Sequence, residues 1–420
     1  MSRSRAWDRK LILNPLLFLA LLSMVACGGS SSSSGSGSSS PPPPVNNTQA
    51  IGVSLGPAHD YPNGLFTSVT ICAPGTSNCQ TIPDVLVDTG SYGLRLLSSQ
   101  VTLSLPAVSD NSSSQLQECI QFADGSYVWG PVASADIQLA GEKAQSVPIQ
   151  LIDTSNPTAL PVPSQCTSGG GSDANTVSAL GANGILGIGV FQQDCGLTCT
   201  TSTSPNMYWL CPNSVCQGAT VPTQFQVQNP VSLFAQDNNG LLISLPSIPA
   251  DGALTASGSL IFGIGTQSDN ALGSAQVYTV DPSTGDFHTI YKGIDYNQSY
   301  IDSGSNAIYF LDSKTAGIPE CTDNSGWYCP SSTTQFNVTN QGLNGTSNPL
   351  TFSIANADTL FNANGINAAF NDLGGPSATS TTSSSEYFDF GVPFFYGRSV
   401  FVGIENKTGP NGVVGPYWAY

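Results

Sequence analysis

Histidine is scarce in this chain of 420 residues, which contains only His59 and His288. His59 lies in a segment typical of a loop, and His288 follows a segment typical of a hairpin. A serine nucleophile activated by histidine, or a histidine-rich metal centre, needs imidazole side chains in specific positions. Two histidines in the whole chain argue against either kind of site. We therefore interpret both histidines as surface residues, and we expect no metal and no cofactor.

Positive charge is scarce as well, with 10 Lys and Arg against 27 Asp and Glu and a formal net charge of −17 at pH 7. Arg3, Arg5, Arg9 and Lys10 lie at the start of the chain, so little positive charge is left for the rest of it. Phosphate binding needs a basic face. The composition therefore argues against a nucleic-acid partner.

Long apolar runs are also missing. The run over residues 11–22 follows the basic positions and is too short to span a bilayer comfortably. Together with the segment Met-Val-Ala-Cys that ends at Cys27, it predicts a secretory signal peptide over residues 1–26. That segment resembles the lipobox of bacterial lipoproteins, which implies an acylated Cys27. Because Gly28 follows, the resemblance implies an exported protein anchored in the outer membrane, facing the periplasm or the cell exterior. The alternative is an ordinary signal peptide cut nearby, with Cys27 unmodified.

Residues 27–48 are rich in Ser, Gly and Pro, and they predict a tether that cannot bury a core. About 370 residues remain, which suits one large two-lobed unit. No long helical period stands out in them. The 44 glycines and 29 prolines of the whole sequence indicate short strands and many turns, so we predict an all-β, mostly β fold.

Eleven cysteines are present, and setting Cys27 aside for lipid leaves an even number in an exported chain. This count predicts up to five disulfides. The expected bridges are Cys72–Cys79, Cys321–Cys329, two among Cys195, Cys199, Cys211 and Cys216, and Cys119–Cys166. The four clustered cysteines could instead bind zinc, but their spacing matches zinc motifs poorly, and export favours disulfides.

Two short segments of the same design occur far apart in the chain. Residues 85–91 are Val-Leu-Val-Asp-Thr-Gly-Ser, and residues 300–305 are Tyr-Ile-Asp-Ser-Gly-Ser. An apolar-apolar-Gly step follows each Asp at a similar distance and ends at Gly187 in the first half and at Gly397 in the second. The repeat indicates an internal duplication that brings two acids together between two lobes. The alternative is that each Asp merely ends a strand, with no contact between them.

These segments resemble the active-site motifs of the pepsin-like aspartic peptidases. Weaker similarity lies at residues 183–189, 258–263 and 394–401, in the order of that family. The resemblance implies two β lobes related by a pseudo-twofold axis, over residues 49–250 and 251–420, with a central cleft. The chain also resembles an uncharacterised family of proteobacterial lipoproteins.

The resemblance to the peptidases implies roles for the duplicated residues. Asp88 and Asp302 would be the catalytic pair, which shares a proton because two close carboxylates do not both ionise easily. The expected supporting residues are Thr89, Gly90, Ser91, Ser303, Gly304 and Ser305. Each of the two Ser residues that end the motifs would donate to its own Asp, and Thr89 and Ser303 would tie the two loops together.

The same resemblance implies a flap, a hairpin over the cleft, carried here by Phe122, Gly125, Ser126 and Tyr127. Phe122 takes the position where the family usually has Tyr. Tyr127 would therefore substitute for that phenol, or none would be present. Arg95 takes the place of the Trp that usually supports the flap. We expect both departures to alter the geometry of the flap and the preference for substrates.

The function expected from these residues is that of an aspartic endopeptidase, which hydrolyses peptide bonds through a water activated by two Asp. Extended peptides or unfolded proteins would lie across the cleft of a monomer. The alternative is a catalytically inactive envelope protein of the same fold, which binds a polypeptide or another partner. Digestion of denatured protein at acid pH distinguishes the two.

Overall fold

The computed structural model describes residues 46–109, 114–154, 160–322, 324, 326–363, 365–377 and 387–420. The signal peptide expected at residues 1–26, Cys27 and nearly all of the expected tether lie outside the described residues. The first strand begins at Thr48. None of the helices in the described ranges has the length and apolar character that crossing a bilayer requires.

The first half of the chain consists mainly of short strands. These strands are β1 (Thr48–Ser54), β2 (Gly64–Cys72), β3 (Cys79–Asp88), β4 (Tyr92–Leu97), β5 (Leu116–Gln121), β6 (Tyr127–Leu139), β7 (Glu142–Ile152), β8 (Gly184–Ile188), β9 (Tyr208–Leu210), β10 (Gln217–Gly218) and β11 (Gly240–Ser244). The helices are α1 (Val177–Leu180), α2 (Leu197–Thr201) and 3₁₀ turns at Ser98–Gln100, Pro212–Ser214, Thr223–Phe225 and Pro230–Leu233.

The second half is built in the same way. Its strands are β12 (Ala256–Phe262), β13 (Val277–Thr279), β14 (Phe287–Tyr291), β15 (Ile294–Ile301), β16 (Ile308–Phe310), β17 (Thr334–Gln341), β18 (Ser347–Ile354), β19 (Gly374–Gly375), β20 (Phe388–Phe390), β21 (Ser399–Gly403) and β22 (Tyr417–Ala419). Its helices are α3 (Ser313–Ala316), α4 (Ala357–Ala363) and 3₁₀ turns at Val392–Phe394 and Pro410–Gly412. The prediction of a mostly β fold is therefore confirmed.

The strands of the described residues form a fifteen-stranded sheet and a seven-stranded sheet. The order in the larger sheet is β10-β9-β5-β6-β7-β4-β8-β3-β2-β1-β12-β11-β21-β22-β13, and in the smaller sheet it is β18-β17-β14-β15-β20-β16-β19. The larger sheet passes from one half of the chain to the other through antiparallel pairs of β1 with β12, β12 with β11, and β11 with β21. The two halves therefore share one continuous layer of backbone hydrogen bonds.

One three-strand arrangement occurs in each half. In the first, β3 lies parallel to β8 while β4 lies antiparallel to it. In the second, β15 lies parallel to β20 while β16 lies antiparallel to it. Asp88 ends β3, and Asp302 follows directly after β15. The repeated motif of the sequence is thus a repeated unit of structure, with an Asp at the same place in each copy.

The register of these strands identifies the glycine that corresponds to Gly187 in the second half. Asp88 pairs with Gly187 in the first unit. In the second unit Ile301 pairs with Phe390, so the residue opposite the next position is Gly391. The corresponding glycine is therefore six residues before the one that the sequence pattern indicated.

The expectation that Gly397 fills this place was wrong. A Cβ on Gly391 would lie 2.1 Å from the carbonyl oxygen of Ala307, which excludes any side chain there. Gly397 instead lies in a turn, with a φ of +73°. The pattern missed the correct glycine because the residue two positions before it is the polar Asp389, so no apolar-apolar-Gly step is present.

Aromatic packing holds β20 in the second unit. The Phe310 ring stacks on Phe388 with centroids 5.4 Å apart and meets the Phe336 ring edge-on at 4.9 Å. Phe388 and Phe390 are both fully buried. Because successive side chains of a strand point to opposite faces, Asp389 is directed away from this aromatic cluster.

Five disulfides lie within the described residues. They join Cys72 to Cys79, Cys119 to Cys166, Cys195 to Cys199, Cys211 to Cys216, and Cys321 to Cys329. The predicted pairs are confirmed, including two bridges within the cluster of four cysteines. That cluster is therefore cross-linked and does not offer thiolates to zinc.

Candidate active site

Asp88 and Asp302 meet where the two repeated units face each other. The Gly90 N–H donates to Asp88 Oδ1 at 2.8 Å and to Asp302 Oδ1 at 3.1 Å. The Gly304 N–H donates to Asp302 Oδ1 at 2.8 Å. The two carboxyl groups are hydrogen-bonded to each other, and both are buried. The structure thus brings together two acids from opposite halves of the chain.

The closeness of the two loops requires glycine at positions 90 and 304. A Cβ on Gly90 would lie 2.5 Å from Asp302 Cγ, and a Cβ on Gly304 would lie 2.6 Å from Asp88 Oδ1. Any side chain at either position would therefore force the carboxyl groups apart. Each turn packs directly against the Asp of the opposite half.

The outer oxygens of the two aspartates each receive a serine hydroxyl. Ser91 Oγ donates to Asp88 Oδ2 at 2.6 Å. Ser305 Oγ lies 3.1 Å from Asp302 Oδ2. All four side chains are buried, so these bonds form out of contact with bulk water and are stronger for it.

Thr89 and Ser303 join the two loops by reciprocal hydrogen bonds. The Ser303 N–H donates to Thr89 Oγ1 at 2.9 Å, and the Thr89 N–H donates to Ser303 Oγ at 3.2 Å. Thr89 Oγ1 in turn donates to the Ile301 carbonyl at 3.3 Å, and Ser303 Oγ donates to the Val87 carbonyl at 2.7 Å. Each hydroxyl bridges to the opposite half, so the pair holds the two aspartates in fixed relation.

We expect Thr89→Val to lower the free energy of unfolding by about 1–3 kcal/mol, because the buried Ser303 N–H loses its acceptor. Urea titration followed by circular dichroism measures this. The matched control is Thr70→Val, which removes an exposed hydroxyl pair with Thr81 and is expected to change stability by no more than about 0.5 kcal/mol. Equal effects of the two substitutions would contradict a structural role for the bridge.

Burial raises the pKa of the Asp88 carboxyl well above its usual range. The negative charge of Asp302 raises it further, as does the hydrogen bond between the two carboxyl groups, while Ser91 and the Gly90 N–H act in the opposite direction. Two acids this close share a proton, and their titration belongs to the pair. Burial and the neighbouring carboxyl group therefore favour a shared proton at this site over two ionised carboxylates.

The hairpin of β5 and β6 carries the residues expected in the flap. At its tip the Phe122 N–H donates to the Ser126 carbonyl at 2.8 Å, and the Gly125 N–H donates to the Phe122 carbonyl at 2.9 Å. Ser126 Oγ donates to Asp124 Oδ1 at 2.6 Å. Phe122 is 2% exposed and belongs to the apolar core of this half, so the tip itself has no phenol.

The phenol near the aspartates comes from Tyr61, which sequence reasoning missed. Its hydroxyl donates to the Gly304 carbonyl at 2.9 Å. Burial raises the pKa of Tyr61 well above its usual range, and the charges of Tyr309, Asp302 and Asp88 add to this in that order. No local pattern marks this residue, because its partner lies 243 positions away in the chain.

One of the two expectations was that Tyr127 substitutes for the missing phenol. The structure does not support that expectation. The Tyr127 ring packs against the cluster that contains Trp129 and Cys166. Its backbone pairs with the following segment instead: the Tyr127 N–H donates to the Ser172 carbonyl at 3.1 Å, and the Ala174 N–H donates to the Tyr127 carbonyl at 2.8 Å.

Segment 160–174 braces the flap along this edge. The Gly171 N–H donates to the Gly125 carbonyl at 3.1 Å, and Gln121 Nε2 donates to the Cys166 carbonyl at 2.6 Å. The disulfide between Cys119 and Cys166 ties the segment to β5. The flap is therefore held by a covalent bond and by backbone hydrogen bonds outside its own hairpin.

Arg95, which replaces the expected Trp, is buried and lies between two acids. Its Nη2 donates to Glu118 Oε1 at 2.8 Å and to Asp194 Oδ2 at 2.9 Å, and its Nη1 donates to the Tyr92 carbonyl at 2.8 Å. Tyr208 donates its hydroxyl to Asp194 Oδ1 at 2.7 Å. Because Glu118 belongs to flap strand β5, this ionic cluster joins the flap to the strand that follows Asp88.

Burial raises the pKa of Asp194 well above its usual range, and the nearby charge of Glu118 raises it further, although Arg95 opposes both. One guanidinium thus faces two carboxyl groups. A single cation neutralises one carboxyl group, so protonation of the other is favoured.

A third carboxyl group lies beside the paired aspartates and was also missed from the sequence. Asp389 is 2% exposed, and its Oδ2 lies 2.6 Å from Ser305 Oγ. It occupies the position at which the first repeated unit has Ile185, because Leu86 pairs with Ile185 and Tyr300 pairs with Asp389. A polar residue between Phe388 and Phe390 in a buried strand was the signal that would have pointed to it.

The group of three potential metal ligands found among the described residues does not include the paired aspartates. Within the described ranges, the grouping of three such residues consists of Cys321, Cys329 and Asp358, and its two cysteines are joined in a disulfide. That grouping lies in the second half, against α4. The side chains that the structure brings together at the site carry carboxyl groups and hydroxyls.

Comparison with known proteins supports the fold. The family model described as "Protein of unknown function (DUF3443)" matches residues 43–420. No curated protein matches the chain. Among solved structures, the chain is similar to an aspartic proteinase from Irpex lacteus, with 14% sequence identity and a TM-score of 0.53 over 89% of this chain and 96% of that chain. At this identity the likeness shows a pepsin-like two-lobed fold alone.

Proposed function

The chain belongs to the DUF3443 family, and we propose that it is an aspartic endopeptidase whose water nucleophile is activated by Asp88 and Asp302. The observation that carries the proposal is the contact of the two buried carboxyl groups across the two halves, with Gly90 N–H donating to both. A structural role alone would not require two acids to share a buried site, since that arrangement is unfavourable for folding.

In the mechanism that we propose, the shared proton starts on Asp88, whose pKa is raised well above its usual range by burial and by the neighbouring Asp302. Asp302 then acts as the base. Its Oδ1 accepts from the N–H groups of Gly90 and Gly304, and both bonds favour the ionised form. The two aspartates are thus poised for opposite roles.

Hydrolysis proceeds by two proton transfers in each of two steps. Asp302 removes a proton from water as its oxygen bonds to the scissile carbonyl carbon, while Asp88 gives its proton to the carbonyl oxygen. Asp302 then gives its new proton to the amide nitrogen. As the C–N bond breaks, Asp88 takes a proton back from one hydroxyl of the diol. Both acids return to their starting states, and an acid and an amine leave.

The substrate class proposed is an extended peptide or an unfolded polypeptide. The aspartates lie between two β units, which suits a strand-like ligand that offers backbone groups for hydrogen bonding. We further propose that the protein acts as a monomer, exported and held at the outer membrane through lipid on Cys27, with the Ser/Gly/Pro segment as a spacer.

We expect cleavage of acid-denatured protein at about pH 3 to 5 and a loss of activity as the pH rises. The sign follows from Asp88: its shared proton is present below its raised pKa and is lost above it. On the falling limb, kcat/KM drops about 10-fold per pH unit. Peptide release measured from about pH 3 to 8, with and without a statine-type inhibitor, checks this. Inhibitor-insensitive cleavage would point to a contaminating protease.

A non-catalytic binding protein of the same fold is the second candidate. The bracing of the flap by segment 160–174 favours it, because a hairpin with an external cross-link opens less readily over a substrate. Under this alternative the folded protein binds unfolded polypeptide but releases no peptides at any pH. The same assay, combined with a binding measurement on the denatured protein, separates the two candidates.

A further inference from the structure

A cavity of about 800 Å³ lies in the second half of the chain, and neither of the paired aspartates lines it. Its walls come from the hairpin of β17 and β18, from α4, and from the turn at Val392–Phe394. Sites for small molecules have volumes of roughly 300–1,000 Å³ and combine an apolar lining with a few polar groups. The cavity therefore has the size of a small-molecule site, and its lining indicates which chemistry it favours.

The inner wall of the cavity is apolar, whereas its rim is polar. Leu350, Phe352, Leu360 and Phe394 line the interior, and each is at most 9% exposed. The hydroxyl-bearing residues 331–333 lie at the rim and are exposed. A ligand that fills the cavity thus buries an apolar body and keeps its outer edge in water.

One acid lies in this apolar wall without a partner. Asp372 is 6% exposed, and its Oδ1 accepts no hydrogen bond within the described residues. The neighbouring Asn371 Oδ1 is also buried, and it too accepts none from the described part of the chain. An acceptor that is buried without a donor is unfavourable. Two adjacent acceptors therefore favour a ligand that brings hydrogen-bond donors to this wall.

The charges of the wall favour a cation over an anion. The charged side chains that line the cavity are Asp251, Asp372 and Arg398. Arg398 is already engaged, because its Nη1 donates to the Phe394 carbonyl at 2.6 Å and its guanidinium lies 4.7 Å from the centroid of the Phe394 ring. Two ionised acids against one guanidinium leave the wall with a net negative charge. A positive group on the ligand therefore offsets the cost of the buried Asp372 carboxylate.

We propose that this cavity is a binding site for a small organic cation, in which a primary ammonium group is carried on an apolar body. The ammonium group donates to Asp372, and the body packs against Leu350, Leu360 and Phe394. An ammonium group has three donors, which matches the unpaired acceptors of this wall. A metal ion suits the wall less well, because hard cations such as Ca²⁺ take about six to eight oxygen ligands, whereas the interior is largely apolar. The site does not rest on the proposed peptidase function.

Dansylcadaverine, a primary amine on an aromatic body, is a suitable probe, and its N-acetyl derivative has the same body without the charge. Burial raises the pKa of Asp372 to about 6, its own backbone N–H acts in the opposite direction, and the charge of Asp251 raises the pKa further. At about pH 8, where this carboxyl group is ionised, we expect the wild type to bind the amine about 10-fold more tightly than the acetylated probe. Dansyl fluorescence, which rises when the ring enters an apolar site, measures both affinities. No saturable binding of the amine up to about 1 mM would overturn the proposal, as would equal affinity for the two probes.

Two substitutions locate the probe. Asp372→Asn is expected to weaken binding of the amine by about 10-fold and binding of the acetylated probe by less than about 2-fold, because it removes only the charge. Thr359→Trp, at an exposed position of α4 that lines the cavity, fills the space and should weaken both probes by about 10-fold or more. The matched control is Glu320→Gln, an exposed acid of the second half outside the cavity, which should change neither affinity. With folding verified by circular dichroism, an unchanged affinity for the amine in either cavity variant would refute the site.

Discussion

Asp88→Asn and Asp302→Asn are each expected to lower kcat/KM by about 10³-fold or more, because an amide neither removes the proton of water nor delivers one to the substrate. The two groups act as a unit, so the double variant should be little worse than either single one. Release of peptides from denatured protein at about pH 4 measures the loss. The matched control is Asp251→Asn, an exposed acid of the second half, which should retain wild-type activity.

Stability distinguishes this loss from misfolding. Because the pKa of Asp88 is higher in the folded protein than in an ordinary Asp, the folded state binds a proton more tightly than the unfolded state. Its contribution to stability is therefore present at acid pH and falls as the pH rises toward neutrality. Asp88→Asn removes this decline, so we expect the variant to be no less stable than the wild type at pH 7. Substantial activity in a folded Asp88→Asn protein would refute the mechanism.

Arg95→Met is expected to lower the free energy of unfolding by about 3–5 kcal/mol, because it leaves Glu118 and Asp194 buried without their cation. Lys143→Met is the matched control. Lys143 is half-exposed and forms a 2.9 Å ion pair with Asp136, and its loss should change stability by about 1 kcal/mol or less. Urea titration at pH 7 compares the two variants.

A triple variant separates lost charge pairing from lost packing. When Arg95→Met is combined with Glu118→Gln and Asp194→Asn, no charge is left in the cluster, and we expect most of the stability to return. Because Glu118 lies in flap strand β5, the single variant should also raise KM more than it lowers kcat. A triple variant as unstable as Arg95→Met would show that the cluster acts by packing rather than by charge.

The sequence was sufficient for the pairing of the two aspartates because the motif is local and occurs twice. Each copy contains its own strand end, acid, turn glycine and hydroxyls, so recognising the repeat was enough to expect the contact between Asp88 and Asp302. The disulfide pairs could be predicted from the sequence for a similar reason. Four of the five join cysteines at most eight residues apart, so chain proximity alone favours those pairs.

Contacts that depend on the tertiary arrangement could not be predicted from the sequence. Tyr61 reaches the carbonyl of Gly304 from a loop with no distinctive pattern. The ion pairs of Arg95 involve residues 23 and 99 positions away, which no periodicity relates. Asp389 was missed because residues 395–397 match the apolar-apolar-Gly pattern, whereas residues 389–391 begin with an acid and do not match it. That acid breaks the apolar pattern at the place where the second unit differs chemically from the first.

The cross-link between Cys119 and Cys166 has a consequence for how a polypeptide would enter the cleft. In a protein whose hairpin moves freely, the hairpin opens to admit a bulky polypeptide and then closes over it. Here a disulfide joins the hairpin to segment 160–174, so the position of the hairpin is restrained before any ligand binds. If the protein cleaves polypeptides as proposed, we therefore expect unfolded chains to be better substrates than folded ones.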